Sequence, residues 1–487
     1  MTLRNRILLF FVTGLLLLTG CTSQPLPSVS QPEVPPDLST QPPPPEEGKV
    51  IPFTLAVYPR ESFHPALSKN RTNLLLSSLL YQPLYRLDGS FEPQPVLASG
   101  AAVSEDKLTW TIFLKNAAFS DGTPLTGKIA ADALNTARGE NSRYAARLAG
   151  IAGVTPGEGS VTITLSSPNG NLPALLDVPI ALGDGERPLG TGPYILQELD
   201  EILSLHAAEG AKVPAQDIPL HAIAQTDDLI AAFDSGDVTL VETDLMGTNT
   251  PAYSGNYEVW DYPSLGLVYL GLNTREGRPC VSDGLRRGLA KSIDRESIAD
   301  TVFAGHAVPT ALPLHPNSPR WSKEVNDAWS YQPEALSGEL VLLVNSENST
   351  KAAAAQHIAD QLRAVGLGVE VRRLPWESYM EALENGDFDL YLAETILTAD
   401  FDLRAILGTD GALNYGGWSS LITDQLLTEL NAGLGEPEVV YSHLMDQAVF
   451  IPICFKNGSV LTQWGRVSGL DPVREDPFYQ MENWIIN

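Results

Sequence analysis

A mixed α/β chain of two or three lobes is what the sequence predicts, on three observations. Its 487 residues exceed the roughly 250–300 at which a single core stops growing. Hydrophobic residues make up 43%, enough to bury cores rather than stay disordered. Residues 339–394 read strand, helix, strand, short helix, strand, the order of parallel strands joined by right-handed crossovers.

The chain opens with Arg4 and Arg6, then a mostly apolar run from Ile7 to Leu18, then Thr19, Gly20 and Cys21. That is the charged and apolar order of a secretory leader, and the run falls short of the roughly 20 residues that span a bilayer. "LTGC" resembles the lipobox of bacterial lipoproteins, which implies a leader over 1–20, cleavage before Cys21 and lipid on its sulfur and new amino terminus. Two or more acyl chains anchor stably where one does not. Nine of the 27 residues from Thr22 to Gly48 are proline, so 21–47 is expected to be an extended tether. The mature chain is then held outside the cytoplasm by lipid, with no membrane-spanning helix of its own.

Beyond Gly48 the elements follow in order. "VIPFTLAVY" (50–58) reads as a strand and "NLLLSSLL" (73–80) as a helix. Asp88-Gly89 marks a tight turn between short strands. "KLTWTIFLK" (107–115) and "GSVTITLSSP" (159–168) alternate as half-buried strands do, and a helix between them is capped near Thr126. "LGTGPYIL" (189–196) reads as a backbone corner; Gly190 and Gly192 lack the third glycine and helix of a phosphate loop. "GLVYLGLN" (266–273) is a buried strand. One helix is expected from Asp283 to about Phe303, with Ser282 as N-cap and Leu285, Leu289 and Ile293 on one face. In 339–394, Ile358, Leu362 and Val365 share a helix face that ends at Gly366, and the short helix covers Trp376–Leu383. "VFIPICF" returns to strand.

Thirty-one Lys+Arg against 59 Asp+Glu give a net charge of −28, and loss of a leader carrying Arg4 and Arg6 takes it to −30. Such a surface repels phosphate backbones, so nucleic acid is excluded as a partner. Three cysteines, Cys21, Cys280 and Cys454, make no disulfide framework and no zinc motif. The chain has no GxSxG, HExxH, P-loop or Rossmann fingerprint, so no enzyme activity and no cofactor is expected. Seven histidines lack ligand spacing; His306 and His315 flank "AVPTALPL" and read as loop or surface residues rather than metal ligands. Glu394 ends an apolar strand, with Asp400 and Asp402 just beyond it. Ligands of open α/β sheets sit beyond strand carboxyl ends, where a carboxylate suits an ammonium group, although the same acids could cap the helix at "LRAIL" or face water. Asn414, Tyr415 and Trp418 in "NYGGWSS" offer binding-site aromatics around flexible glycines, with a loop tryptophan packed into the core as the alternative.

Five stretches resemble one family: "NLLLSSLLYQPLYRLDG", "PVLASGAAVSEDKLTWTIFLKNAAFSDGTPLTGKIAADAL", "LGTGPYIL", "VYLGLNTREGRPCVSDGLRRGLAKSIDRESIADTVFAGHAVP" and "AAQHIADQLRAVGLGVEV". In this order they resemble the family 5 extracellular solute-binding proteins of ABC importers, the oligopeptide, dipeptide and nickel group. The resemblance implies the two-lobed, hinge-connected periplasmic-binding-protein fold with an extra domain and mixed sheets. It would place 48–70, 186–263 and 456–487 in lobe 1, 71–185 in the extra domain and 264–455 in lobe 2. It further implies a monomer that takes a solute, a peptide first of all, between its lobes and hands it to an ABC permease, in the periplasm or on the outer face of the cell. A nickel complex, a sugar, or a sensor on the same fold are the alternatives. In peptide-binding relatives an aspartate, usually in W-x-x-D, grips the ligand α-amine. "ETILTADFD" departs from that pattern in having no tryptophan; Asp400 or Asp402 would fill the acidic role, at a longer spacing from the strand. Cys280 and Cys454 would share lobe 2 and either pair or remain two buried thiols.

Overall fold

Two strands, far longer than their neighbours, organise the molecule. In the computed structural model, which describes residues 52–248 and 250–487, the main sheet has eleven strands. They are β1 (Leu55–Val57), β2 (Tyr194–Leu199), β3 (Ile202–Ala207), β4 (Asp217–Ala222), β5 (Leu240–Thr243), β6 (Tyr257–Leu272), β7 (Ala307–Pro309), β8 (Gly338–Asn345), β9 (Leu367–Leu374), β10 (Leu390–Ile396) and β11 (Phe450–Gln463). The order is β2-β3-β4-β1-β5-β11-β6-β10-β8-β9, with β7 also on β11. β1 is parallel to β4 and β5, and β8 is parallel to β9 and β10; β6 and β11 are antiparallel. Cys21, the leader and the proline-rich stretch lie outside the described residues.

The long pair passes from one core to another. Tyr262 and Val460 pack in a core with Phe53, Leu55, Leu220 and Trp484. Leu265–Leu272 and Ile451–Phe455 pack in a second core with Leu342, Ile358 and Leu390. The register of β6 against β11 slips between Pro263 and Gly266, where one core gives way to the other. A third core lies around Trp110, Ile112, Leu134 and Ile163, under a four-stranded antiparallel sheet of Ala98–Val103, Thr109–Leu114, Ser160–Leu165 and Ile151–Gly157.

The parallel unit forms as its pattern predicts. Leu342 and Val344 of β8 are buried. The helix Ser349–Ala364 buries Ala355, Ile358, Ala359 and Leu362 and is capped by the Asn348 side chain, which accepts from the Lys351 N–H. Each fully buried leucine or isoleucine contributes about 1.5–3 kcal/mol. Gly190 and Gly192 do form a corner: a Cβ on either would lie about 2 Å from the backbone of Leu79 and Leu80, so only glycine fits.

Three boundaries differ from expectation. The stretch after Ser282 is two helices, Asp283–Lys291 and Arg295–Thr301, because Asp294 caps a new start by accepting from the Ser297 N–H. Residues 71–80 are two short helical turns, and among the described residues of the first predicted strand only Leu55–Val57 pair as a strand. His315 lies in a loop, as one reading had it, but is buried, with ring centroids 5.0 Å from Phe91 and 5.1 Å from Phe455; burial pushes its pKa down to about 4. His306 lies elsewhere, with Nδ1 2.8 Å from Asp261 Oδ2. Cys280 and Cys454 are free, buried thiols.

An ionic knot ties the third core to the C-terminal segment. Glu475 meets Arg143 and Arg147 at 3.0 Å each and Arg474 at 3.5 Å, while Asp177 takes Arg147 and Arg474 at 2.7 Å each. Burial alone would raise the Glu475 pKa, but the three guanidiniums hold it well below the usual carboxylate range.

Candidate functional site

The residues singled out from sequence fall into three groups. Glu394, at the carboxyl end of β10, accepts from Lys456 Nζ at 2.8 Å and pairs with Lys351 Nζ at 3.2 Å. Lys456 also reaches Asp244 Oδ2 at 2.6 Å. Asp244 follows β5, whose Leu240 belongs to the first core, whereas Lys351 and Glu394 stand on elements of the second. This cluster therefore bridges two cores. A second bond joins the same segments, from Asn348 Nδ2 to Thr248 Oγ1 at 2.9 Å.

Asp400 lies on another part of the seam, against the segment Ser167–Gly170 that leads away from the third core's sheet. It is 7% exposed. Its Oδ2 accepts from Asn169 Nδ2 at 2.7 Å, while Oδ1 has no hydrogen-bond partner among the described residues. Burial raises its pKa; Thr398, Asn169 and Arg320 pull the other way and Asp402 adds to the rise. Arg320 does not pair with the carboxylate; both its terminal nitrogens donate to the Asp400 backbone carbonyl at 3.3 Å. Asp402 is spent on a two-pronged pair with Arg404, at 2.9 and 2.6 Å.

Asn414, Tyr415 and Trp418 form a brace of their own. The Asn414 amide donates to the carbonyls of Trp418 and Gly408, and its oxygen accepts from the Trp418 N–H. Tyr415 meets Tyr391 edge-on at 6.0 Å, and Trp418 lies under Arg286 and donates to Thr423 Oγ1. These bonds do not reach Glu394, Asp400 or Asp402. Sequence reasoning passed over Lys456, a lone cation in the apolar run "VFIPICFKNGSV", which was a readable signal. It also passed over Asn169, for which no signal existed.

Two carboxylates thus stand at seams between cores, one neutralised by lysines and one with an open valence. Residues 92–407 match the bacterial extracellular solute-binding proteins, family 5 Middle. The chain belongs to this family. Relatives of this family 5 protein include a Brucella ovis protein named for peptide binding in an ABC transporter, 27% identical over 267 residues and 49% of each chain. The periplasmic murein peptide-binding protein MppA of Escherichia coli is 23% identical over 318 residues and 57% of each. The chain spans about half the length of the curated relatives it matches. Among solved structures, the substrate-binding protein CtaP of Listeria monocytogenes aligns with a TM-score of 0.68 at 18% identity, covering 89% of this chain and 98% of that one. A nickel ABC transporter protein of Bacillus halodurans gives 0.69 at 18%, covering 87% and 97%. The fold is that of the substrate-binding proteins.

Proposed function

We propose that this family 5 protein is the solute-capturing component of an ABC importer, lipid-anchored at Cys21 outside the cytoplasm, that takes peptides between its lobes and delivers them as a monomer to a permease. Lobe 1 would comprise 48–70, 186–263 and 456–487, the extra domain 71–185 and lobe 2 264–455. The observation that carries the peptide reading is the unfilled Oδ1 of Asp400. A buried carboxyl with an unmet acceptor and a raised pKa is costly when the site is empty. An ammonium group supplies the missing donor and the missing charge together, and a peptide α-amine is such a group. Glu394 sits beside it in sequence as the acid of the lysine cluster, and Asp402 orients Arg404. Asn414, Tyr415 and Trp418 would shape the lobe 2 wall. Binding between hinged lobes favours the closed form by the difference in affinity between the two states.

The test is a thermal-shift screen of the full-length chain against peptides of two to eight residues, nickel–histidine complexes and sugars. A ligand that binds only the folded state raises the melting temperature. Peptides should shift it, N-acetylated peptides should shift it much less, and Asp400→Asn should erase the difference. A shift with sugars or nickel complexes alone would overturn the peptide assignment.

A further inference from the structure

The Lys456 cluster has a charge arrangement that the capture of an amine does not use. Lys456 is 5% exposed and follows the buried run Ile453, Cys454 and Phe455. Its ammonium has three donors, and two are placed, on Asp244 and Glu394. Within the second core's elements the cluster is Lys351, Glu394 and Lys456, two cations and one anion. Neutrality is completed from the other core, by Asp244.

Asp244 differs from the other members. Its side chain is 38% exposed, against 18% for Glu394 and 19% for Lys351. Its remaining oxygen serves only its own loop, accepting from the Met246 N–H at 3.0 Å. It can turn to water at little cost, while Lys456 cannot. A buried ammonium must keep an anionic partner.

We propose that Lys456, supported by Lys351 and Glu394, is the seat for a carboxylate of the captured solute, and that Asp244 fills this seat when no such group is present. The proposal rests on reading the seam between the cores as the solute site. Exchange of one carboxylate for another conserves charge and leaves no buried ion unpaired. A monoanion restores neutrality; a phosphate dianion would overshoot it. With Asp400 as the amine seat, the solute class is a zwitterion that carries a free carboxylate, such as an unblocked peptide or amino-acid derivative.

The experiment uses N-acetylglycine, a carboxylate without an amine, and N-acetylglycinamide, its uncharged counterpart. Both are titrated into the full-length chain and followed by calorimetry and melting temperature. In Asp244→Asn the internal competitor is gone, so N-acetylglycine should bind about fivefold or more tighter than to wild type, and the amide should gain nothing. Adding Lys456→Met to Asp244→Asn should abolish the preference for the acid. Should that variant not fold, Lys351→Met in the Asp244→Asn background should weaken the acid selectively and Lys456→Arg should retain it. Equal binding of acid and amide, or no gain in Asp244→Asn, would overturn the seat. Peptide binding with acid and amide alike would sink the seat and leave the peptide reading intact. Acid-selective binding with no response to any peptide would do the reverse.

Discussion

Glu475 and Asp400 are both carboxylates drawn out of water at joints between parts of the chain, yet their surroundings differ. Glu475 lies where Arg143, Arg147 and Arg474 converge, and its pKa is depressed. Asp400 has one amide, from Asn169, the Thr398 side chain close enough to favour its anion, an oxygen without a well-formed hydrogen bond among the described residues, and a pKa that burial still raises. The first is complete without a ligand and acts as a fastening. The second is incomplete, which suits the receptor role proposed for it. Burial of a carboxylate says little about its role; the count of its partners says more.

The largest effect should come from Glu475→Gln. It leaves three arginines around a neutral amide, and loss of one partner from a buried ion cluster costs about 3–5 kcal/mol. Urea denaturation of the full-length chain would measure it; a loss under 1 kcal/mol would break the contrast from the structural side. Next is Asp400→Asn, which should leave stability within about 1 kcal/mol at neutral pH but weaken an amine-bearing solute on the order of 100-fold, as removal of a buried charge partner does. Calorimetry with the best peptide from the screen decides it, and unchanged affinity would end the amine assignment.

The pH dependence sharpens the same contrast because the two signs are opposite. Asp400 binds its proton more tightly folded than unfolded, so its contribution is full below the ordinary aspartate range and is lost as pH rises through its raised value. Glu475 contributes above the ordinary glutamate range and loses that contribution as pH falls toward its depressed value. Stability curves from about pH 2 to about pH 7 should therefore show Asp400→Asn gaining on wild type as pH rises. The Glu475→Gln penalty should shrink in acid. Parallel curves for the two variants would refute both assignments. The smallest effect is expected for Asp402→Asn. Its pair with Arg404 is about one-quarter exposed on the acid side, a class worth about 0–1 kcal/mol, and solute affinity should change less than threefold. A large loss would transfer the amine seat from Asp400 to Asp402.

Much of this architecture was legible from residue patterns. The apolar run of β8, the Ala-rich helix and the alternation in Thr109–Leu114 are local signals, and each became the element it implied. The break at Asp294 is not legible because an aspartate inside an amphipathic stretch reads equally as a surface residue or as a new cap. The family and its fold were readable from ordered motifs such as "FSDGTPLT" and "GTGPY". The acids near the seam could be named but not ranked. What separates Asp400 from Asp402 is a partner 231 residues away in one case and two residues away in the other, and chain distance of that kind leaves no trace in local sequence.

The first core is assembled from both ends of the chain. Phe53 and Leu55 pack with Leu220 and Tyr262 but also with Val467, Phe478, Met481 and Trp484, so the opening strand, although paired with β4 and β5, lacks part of its core until the C-terminal segment has been made. A premature stop near residue 465 would thus remove one wall of the opening strand's core rather than shorten a tail, and part of the damage from a late frameshift should surface at the opening strand.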